Sequence, residues 1–100
     1  MKDRKDLKNI QEIRNEIDKI DHEILKLFGE RNRCVEEIVQ FKKDKSQVVA
    51  KTRQEELFAV RRKWAREFNL DPNLFERIYK MLIENNIQKQ MEFLEKKSGH

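Results

Sequence analysis

The first third of the chain carries an apolar stripe at helical spacing, and this stripe constrains the fold most. Apolar side chains alternate three and four residues apart, at Ile10, Ile13, Ile17, Ile20, Ile24 and Leu27. Cys34, Ile38 and Phe41 continue the register, with no proline and only Gly29 in between. The pattern predicts a helix from Leu7 to Phe41, about 50 Å long. The rest of so short a chain cannot cover it, so we expect a partner helix.

Two more helices are predicted in the remainder. The stretch from Asp44 to Lys51 breaks the pattern and is expected to be a loop. A second helix then ends near Asn69, with apolar positions at Leu57, Val60, Trp64 and Phe68. Asp71 and Pro72 suit the N-cap and first position of a third helix. That helix frays over 96–100, and its apolar positions are Phe75, Ile78, Tyr79, Leu82, Ile83, Ile87 and Leu94.

The composition fits an all-α protein with a single domain over residues 1–100. Charged residues make up 42%, which suits solvated helical faces, and the net charge of +4 is compatible with an anionic partner. With no recognisable leader or membrane span, we expect a complete cytoplasmic protein. Cys34 is the only cysteine, and His22 and His100 lack a third ligand nearby, so no disulfide or metal is expected.

Polar side chains interrupt the apolar stripes at four positions. Arg31 follows Leu27 in the alternation, and Lys42 lies about 20° from Arg31 around the helix axis. Arg53 heads the stripe of the second helix, and Gln90 continues that of the third. These polar side chains could be explained by buried ion pairs, or by charged ends that reach out to water. However, no acidic residue lies in register on these stripes, and a bound dianion would also balance the charge. The pattern alone leaves both explanations open.

Arg14 lies at the edge of the first stripe, seventeen residues before Arg31. This spacing corresponds to about 25 Å along one helix and roughly 100° around it. The two guanidinium groups therefore cannot hold one small molecule within one chain. They would meet if two copies of the helix ran antiparallel in a dimer.

Over about residues 7–95, the chain resembles the AroQ class of chorismate mutases. The segments that carry the resemblance are Ile13-Arg14, Ile20-Asp21, Glu30-Arg31-Asn32-Arg33, Lys42, Arg53 and Gln90. The resemblance implies an intertwined homodimer of three-helix protomers with a long first helix and shared active sites. It also implies a small dianionic substrate, chorismate or isochorismate, and no cofactor.

The resemblance also implies a role for each residue. Arg14 from the partner protomer and Arg31 would bind the substrate carboxylates, and Arg53 would complete the cationic lining. Lys42 and Gln90 would be catalytic, donating to the ether oxygen as chorismate rearranges to prephenate. A further position, Asn86, would lie near a carboxylate. Because the Gln90 amide is neutral, no requirement for acidic pH is expected.

Two positions depart from the pattern of many family members. These carry an Asp and a Glu that contact the ring hydroxyl, where this chain has Ala50 and Gln54. Gln54 can still bind a hydroxyl, whereas Ala50 cannot. The isochorismate pyruvate lyases of the same family, which form salicylate and pyruvate, lack both carboxylates. The stretch 48–50, with Trp64-Ala65 and Leu70-Asp71, resembles them. Mutase is the first expectation, because it is the broader class, and lyase is the alternative.

Two functions of other classes compete with the enzymatic interpretation. Basic runs at 42–45 and 61–66 could contact nucleic acid, but acidic residues are interleaved and no aromatic stacking platform is evident. These runs are better explained as solvated faces, so neither nucleic acid nor membrane is an expected partner. A non-catalytic dimerisation module would explain the stripes but not Arg31, Arg53 and Gln90.

Overall fold

The computed structural model of the chain describes residues 9–99, with side chains as far as residue 97. In this range the backbone forms helices and no strand, which confirms the predicted all-α class. The helices are α1 (Ile10–Val39), α2 (Lys45–Val49), α3 (Lys51–Glu67) and α4 (Pro72–Gly99). The chain divides into two compact units between Cys34 and Val35. A single domain over residues 1–100 stays a prediction.

Helix α1 is the long first helix that the stripe predicts. The side-chain oxygen of Asn9 accepts a hydrogen bond from the Glu12 N–H at 2.9 Å and so caps the first turn. The predicted start at Leu7 lies outside the described residues. The predicted end is slightly too late, because residues 40–41 form a turn after Val39.

The apolar stripe of α1 is largely open to solvent in the single chain. Its members are between 39% and 67% exposed, at Ile10, Ile13, Ile17, Ile20, Ile24 and Leu27. Soluble monomers rarely leave a contiguous apolar surface of this kind uncovered. The stripe therefore has the character of a surface that packs against another molecule.

The predicted loop from Asp44 to Lys51 is wrong, because it contains the one-turn helix α2. The Asp44 carboxylate accepts hydrogen bonds from the Gln47 N–H at 3.0 Å and from the Ser46 hydroxyl at 2.6 Å. It therefore acts as the N-cap. Val48 is only 3% exposed and anchors this turn in the core. Ala50 then joins α2 to α3 in the left-handed conformation, with φ of 43°.

The corner between α3 and α4 confirms the predicted helix start. Pro72 is the first residue of α4, and the Asp71 side chain accepts from the Asn73 N–H at 2.9 Å. Arg62 on α3 donates to the Asn73 side chain at 3.0 Å, and this bond ties the two helices together. The predicted fraying over 96–100 is wrong as far as Gly99, where α4 still continues, and His100 lies outside the described residues.

The core of the second unit forms where α2 and α3 pack on α4. Its buried apolar members are Val39, Val48, Leu57, Ala65 and Ile83. The polar side chains of Asn86 and Gln90 are buried with them. Among residues 9–99, no helix combines the length and the apolar character needed to cross a bilayer.

Candidate active site

The centre of the candidate site is a hydrogen bond between two predicted site residues. The Lys42 ammonium donates to the Gln90 side-chain oxygen at 2.9 Å. Lys42 follows the turn after α1, whereas Gln90 lies on α4 and is only 7% exposed. Partial burial lowers the pKa of Lys42 below its ordinary 10.5, because removal from water disfavours the charged form.

This hydrogen bond fixes which way the Gln90 amide points. Since its oxygen accepts from Lys42, its NH₂ group is directed away from the lysine. An ammonium has three N–H donors, of which this bond uses one. The pair thus leaves N–H donors of both residues available to a ligand. The assignment of amide oxygen and nitrogen follows from the bond itself, because an ammonium cannot accept.

Asn86 lies one helical turn before Gln90 and shares its face of α4. Both side chains are 7% exposed, and Ile83, the preceding apolar position on this face, is 8% exposed. The inward position that the sequence predicts for Gln90 is therefore confirmed. The burial of Asn86 places a second amide next to it on the same helix, since residues four apart are neighbours on a helix surface.

Gln54 belongs to the junction between α2 and α3. Its side-chain NH₂ donates to the backbone carbonyl of Val49, and the residue is half-buried. Because the nitrogen is held by this carbonyl, the amide oxygen is the end left to accept a hydrogen bond from elsewhere. Ala50, in the same junction, contributes only a methyl group.

The three predicted arginines are less enclosed than Gln90. Arg53 lies in the first turn of α3 and is exposed, so its predicted inward position is wrong for the single chain. The register argument fails there because the first turn of α3 is only partly covered, with Gln54 half-buried and Arg53 exposed. On α1, Arg14 is exposed and Arg31 is half-buried. Both arginines belong to the first unit, whereas Lys42, Arg53 and Gln90 belong to the second.

A cationic cavity of about 470 Å³ adjoins Lys42. Its lining residues are Lys42, Lys43, Asp44, Lys45, Leu94, Glu95 and Lys97. Sequence reasoning missed all of these except Lys42, because it treated the basic run after Phe41 as a solvated face. The available signal was the spacing of Gln90, Leu94 and Lys97, which repeats at four and three residues along one face of α4.

No metal site is evident in the part of the chain that the structure describes. Within residues 9–99, no three His, Cys, Asp or Glu side chains come together as a metal would need. His100, one of the two histidines, lies outside this range. The polar groups at the centre of the site are instead an ammonium and amides, which bind oxygen atoms of an anionic or ether-containing ligand.

The chain is thus an all-α protein whose described part places a lysine–glutamine pair beside a cationic cavity. Comparison with known families identifies the family to which the chain belongs. The chain belongs to the chorismate mutase type II family, whose model matches residues 13–91. All of the predicted site residues lie within this range, from Arg14 to Gln90.

Two relatives of established function represent two activities in this family. The chorismate mutase of Methanocaldococcus jannaschii is 34% identical over 90 residues, which cover 89% of this chain and 91% of the relative. The isochorismate pyruvate lyase of Pseudomonas aeruginosa is 28% identical over 99 residues, which cover 99% of this chain and 98% of the relative. The predicted resemblance to the mutases, including the lyase subgroup, is confirmed.

Proposed function

We propose that the chain is a chorismate mutase that rearranges chorismate to prephenate without a cofactor. The observation that carries the proposal is the hydrogen bond between Lys42 and Gln90, which is 2.9 Å long and partly buried. Membership of the chorismate mutase type II family supports it. In this reaction one carbon–oxygen bond breaks as one carbon–carbon bond forms, so the protein need supply neither a nucleophile nor a proton.

The catalytic pair acts on the ether oxygen. This atom gains negative charge as its bond to the ring carbon lengthens. The Lys42 ammonium and the Gln90 NH₂ group donate to it, and both are oriented before the reaction starts by their mutual hydrogen bond. Such preorganised donors stabilise the transition state more than the ground state, because they require no reorganisation as the charge develops.

The substrate carboxylates bind to arginines. Arg31 and Arg14 of the partner protomer grip one dianion between them, and guanidinium forks match carboxylates geometrically. Arg53 adds positive charge from the start of α3, and Asn86 adds an amide one turn from Gln90. Holding both carboxylates selects the compact conformer in which the two reacting carbons meet. The Gln54 side-chain oxygen accepts from the ring hydroxyl.

The functional unit is a homodimer whose protomers share their active sites. The exposed apolar stripe of α1 supports this, since it needs cover and lies on the helix that carries Arg14 and Arg31. These arginines are about 25 Å apart along α1, so antiparallel pairing brings one from each copy together. A charge inside the stripe, in Ile20→Glu, is expected to give inactive monomers by analytical ultracentrifugation.

Lys26→Glu is the matched control for Ile20→Glu. Lys26 lies on the same helix, is exposed, and points roughly 150° away from the centre of the stripe. This variant is expected to stay dimeric and active. A fully active Ile20→Glu monomer would refute the shared-site arrangement, and a fully active Ile20→Glu dimer would refute the stripe as the dimer interface.

Isochorismate pyruvate lyase is the second candidate function. Ala50 favours it, because a methyl group replaces a carboxylate that many family members direct at the ring hydroxyl. The lyase of Pseudomonas aeruginosa also matches this chain over nearly its whole length. The reaction would release pyruvate and leave salicylate, through the same lysine and arginines.

A side-by-side assay separates the two functions. Purified protein is given chorismate or isochorismate, and prephenate, pyruvate and salicylate are quantified by chromatography. A higher kcat/KM on chorismate supports the mutase, and a higher kcat/KM on isochorismate assigns the chain to the lyases. If neither compound reacts, the proposed function is wrong. The Lys42→Ala variant is the negative control for both reactions.

A further inference from the structure

The lysines that line the cationic cavity beside Lys42 differ in exposure. Lys43, Lys45 and Lys97 are exposed, whereas Lys42 is half-buried. The lining holds four lysines against two carboxylates, those of Asp44 and Glu95. The cavity therefore carries two positive charges in excess and adjoins the Lys42–Gln90 pair through Lys42.

The position of Lys97 reinforces this arrangement from a separate element. Gln90, Leu94 and Lys97 follow one another at four and three residues and share one face of α4. The backbone of Lys97 is about 10 Å beyond that of Gln90 along the helix axis. A positive charge thus lies two turns outside the buried amide, on the line that leads to it.

One of the two acidic residues of the lining, Asp44, is engaged in its own turn through one carboxylate oxygen. The Asp44 carboxylate caps α2 by accepting from the Gln47 N–H and the Ser46 hydroxyl. Those hydrogen bonds lower the pKa of Asp44, so the carboxylate stays ionised, and its Oδ1 atom is directed at the donors of its own turn. The side chains of Lys43 and Lys45 in the same segment are exposed.

The geometry points to Lys43, Lys45 and Lys97 as an electrostatic capture site that raises the affinity for the dianionic substrate without taking part in the reaction. This inference rests on the proposed function and names three further residues that serve the same site. Each lysine attracts two negative charges over about 10 Å in water, a range at which the attraction is strong at low salt and screened at high salt.

The test compares two double variants at several ionic strengths. Lys43→Gln/Lys45→Gln is expected to raise the KM for the substrate roughly five- to tenfold at about 10 mM ionic strength, and less than about twofold at 0.5 M. The value of kcat should stay within about twofold of wild type, because neither side chain contacts the reacting atoms. Adding Lys97→Gln should raise KM further at low salt.

Two control variants separate an effect of charge at the cavity from an effect on the structure or on net charge. Lys63→Gln/Lys80→Gln removes the same charge from exposed positions on α3 and α4 that do not line the cavity, and its KM should match wild type. Lys43→Arg/Lys45→Arg keeps the charge and should also retain the wild-type KM. Circular dichroism verifies that each variant is helical.

Three outcomes would overturn the inference. One is a rise in KM that persists unchanged at 0.5 M salt, which would indicate a structural effect. Another is an equal rise in the Lys63→Gln/Lys80→Gln control, which would indicate net charge alone. In both cases wild-type turnover leaves the proposed function intact. Absence of turnover by the wild type on chorismate and isochorismate would instead refute the proposed function, and this inference with it.

Discussion

Replacing Gln90 with glutamate tests the catalytic pair, because it exchanges only the side-chain NH₂ group for an oxygen atom. In the wild type, the Gln90 oxygen accepts from Lys42 at 2.9 Å and the NH₂ group remains as a donor. In Gln90→Glu, the carboxylate keeps the bond to Lys42 but offers the ether oxygen no N–H. It also places a negative charge where negative charge develops. Only the protonated acid, with its O–H, restores a donor.

The expected loss follows from the fraction of protonated acid. An ordinary glutamate pKa of about 4.3 leaves roughly one carboxyl in a thousand protonated at pH 7.5. At this position the Lys42 charge lowers the pKa, whereas burial raises it. We therefore expect kcat/KM at pH 7.5 to fall on the order of 10³-fold, equivalent to about 4 kcal/mol of transition-state stabilisation. Activity should then recover about tenfold per pH unit on acidification.

Initial rates of substrate consumption between pH 5 and 9, at constant ionic strength, measure this effect. The wild type should vary little from pH 5 to 8, since the Gln90 amide does not titrate. Gln90→Leu is the control, because it removes the donor without adding a titrating group and should lose activity equally at every pH. If Gln90→Glu kept wild-type activity at pH 7.5, or followed the flat profile of Gln90→Leu, the proposed role of the pair would be refuted.

Three further predictions concern the same site. Because burial lowers the pKa of Lys42 and only its protonated form carries the positive charge that stabilises the ether oxygen, wild-type kcat/KM should decline with rising pH below the ordinary lysine value of 10.5; a profile of kcat/KM from pH 7 to 11 with no such decline would contradict this. Mixing Arg14→Ala with Lys42→Ala, followed by subunit exchange, should restore about a quarter of wild-type activity, since half of the dimers are mixed and each has one intact site; no recovery would exclude sharing. Ala50→Gly should stabilise the fold by about 0.5–1 kcal/mol in urea unfolding, because φ of 43° favours glycine, and a loss of stability would contradict this.

Much of the fold could be predicted because three helices have long periodic patterns. The stripe of α1 and the start of α4 at Asp71-Pro72 are local signals that tertiary contacts do not override. Helix α2 was missed because five residues are too few to reveal a period. A local signal was nevertheless present, since Asp44 followed three residues later by Gln47 has the form of a capping box.

The candidate site was predictable only in part, because some of its positions depend on how the helices are covered and joined. Gln90 interrupts an apolar stripe in register, and its burial follows from that position. Arg53 was judged by the same rule, but the rule assumes that a helix is covered along its whole length, and the first turn of α3 is not. The orientation of Gln54 could not be foreseen, because the carbonyl of Val49 becomes its acceptor only once α2 has formed.

The exposed stripe of α1 has a consequence for how such an enzyme behaves in dilute solution. If each active site is completed by the partner's arginine, the rate per protomer depends on the fraction of chains that are paired. Association of identical chains follows mass action, so this fraction falls as the total protein concentration falls. Near the dissociation constant of the dimer, doubling the enzyme would more than double the rate. Well below that constant, the rate would fall with the square of the enzyme concentration.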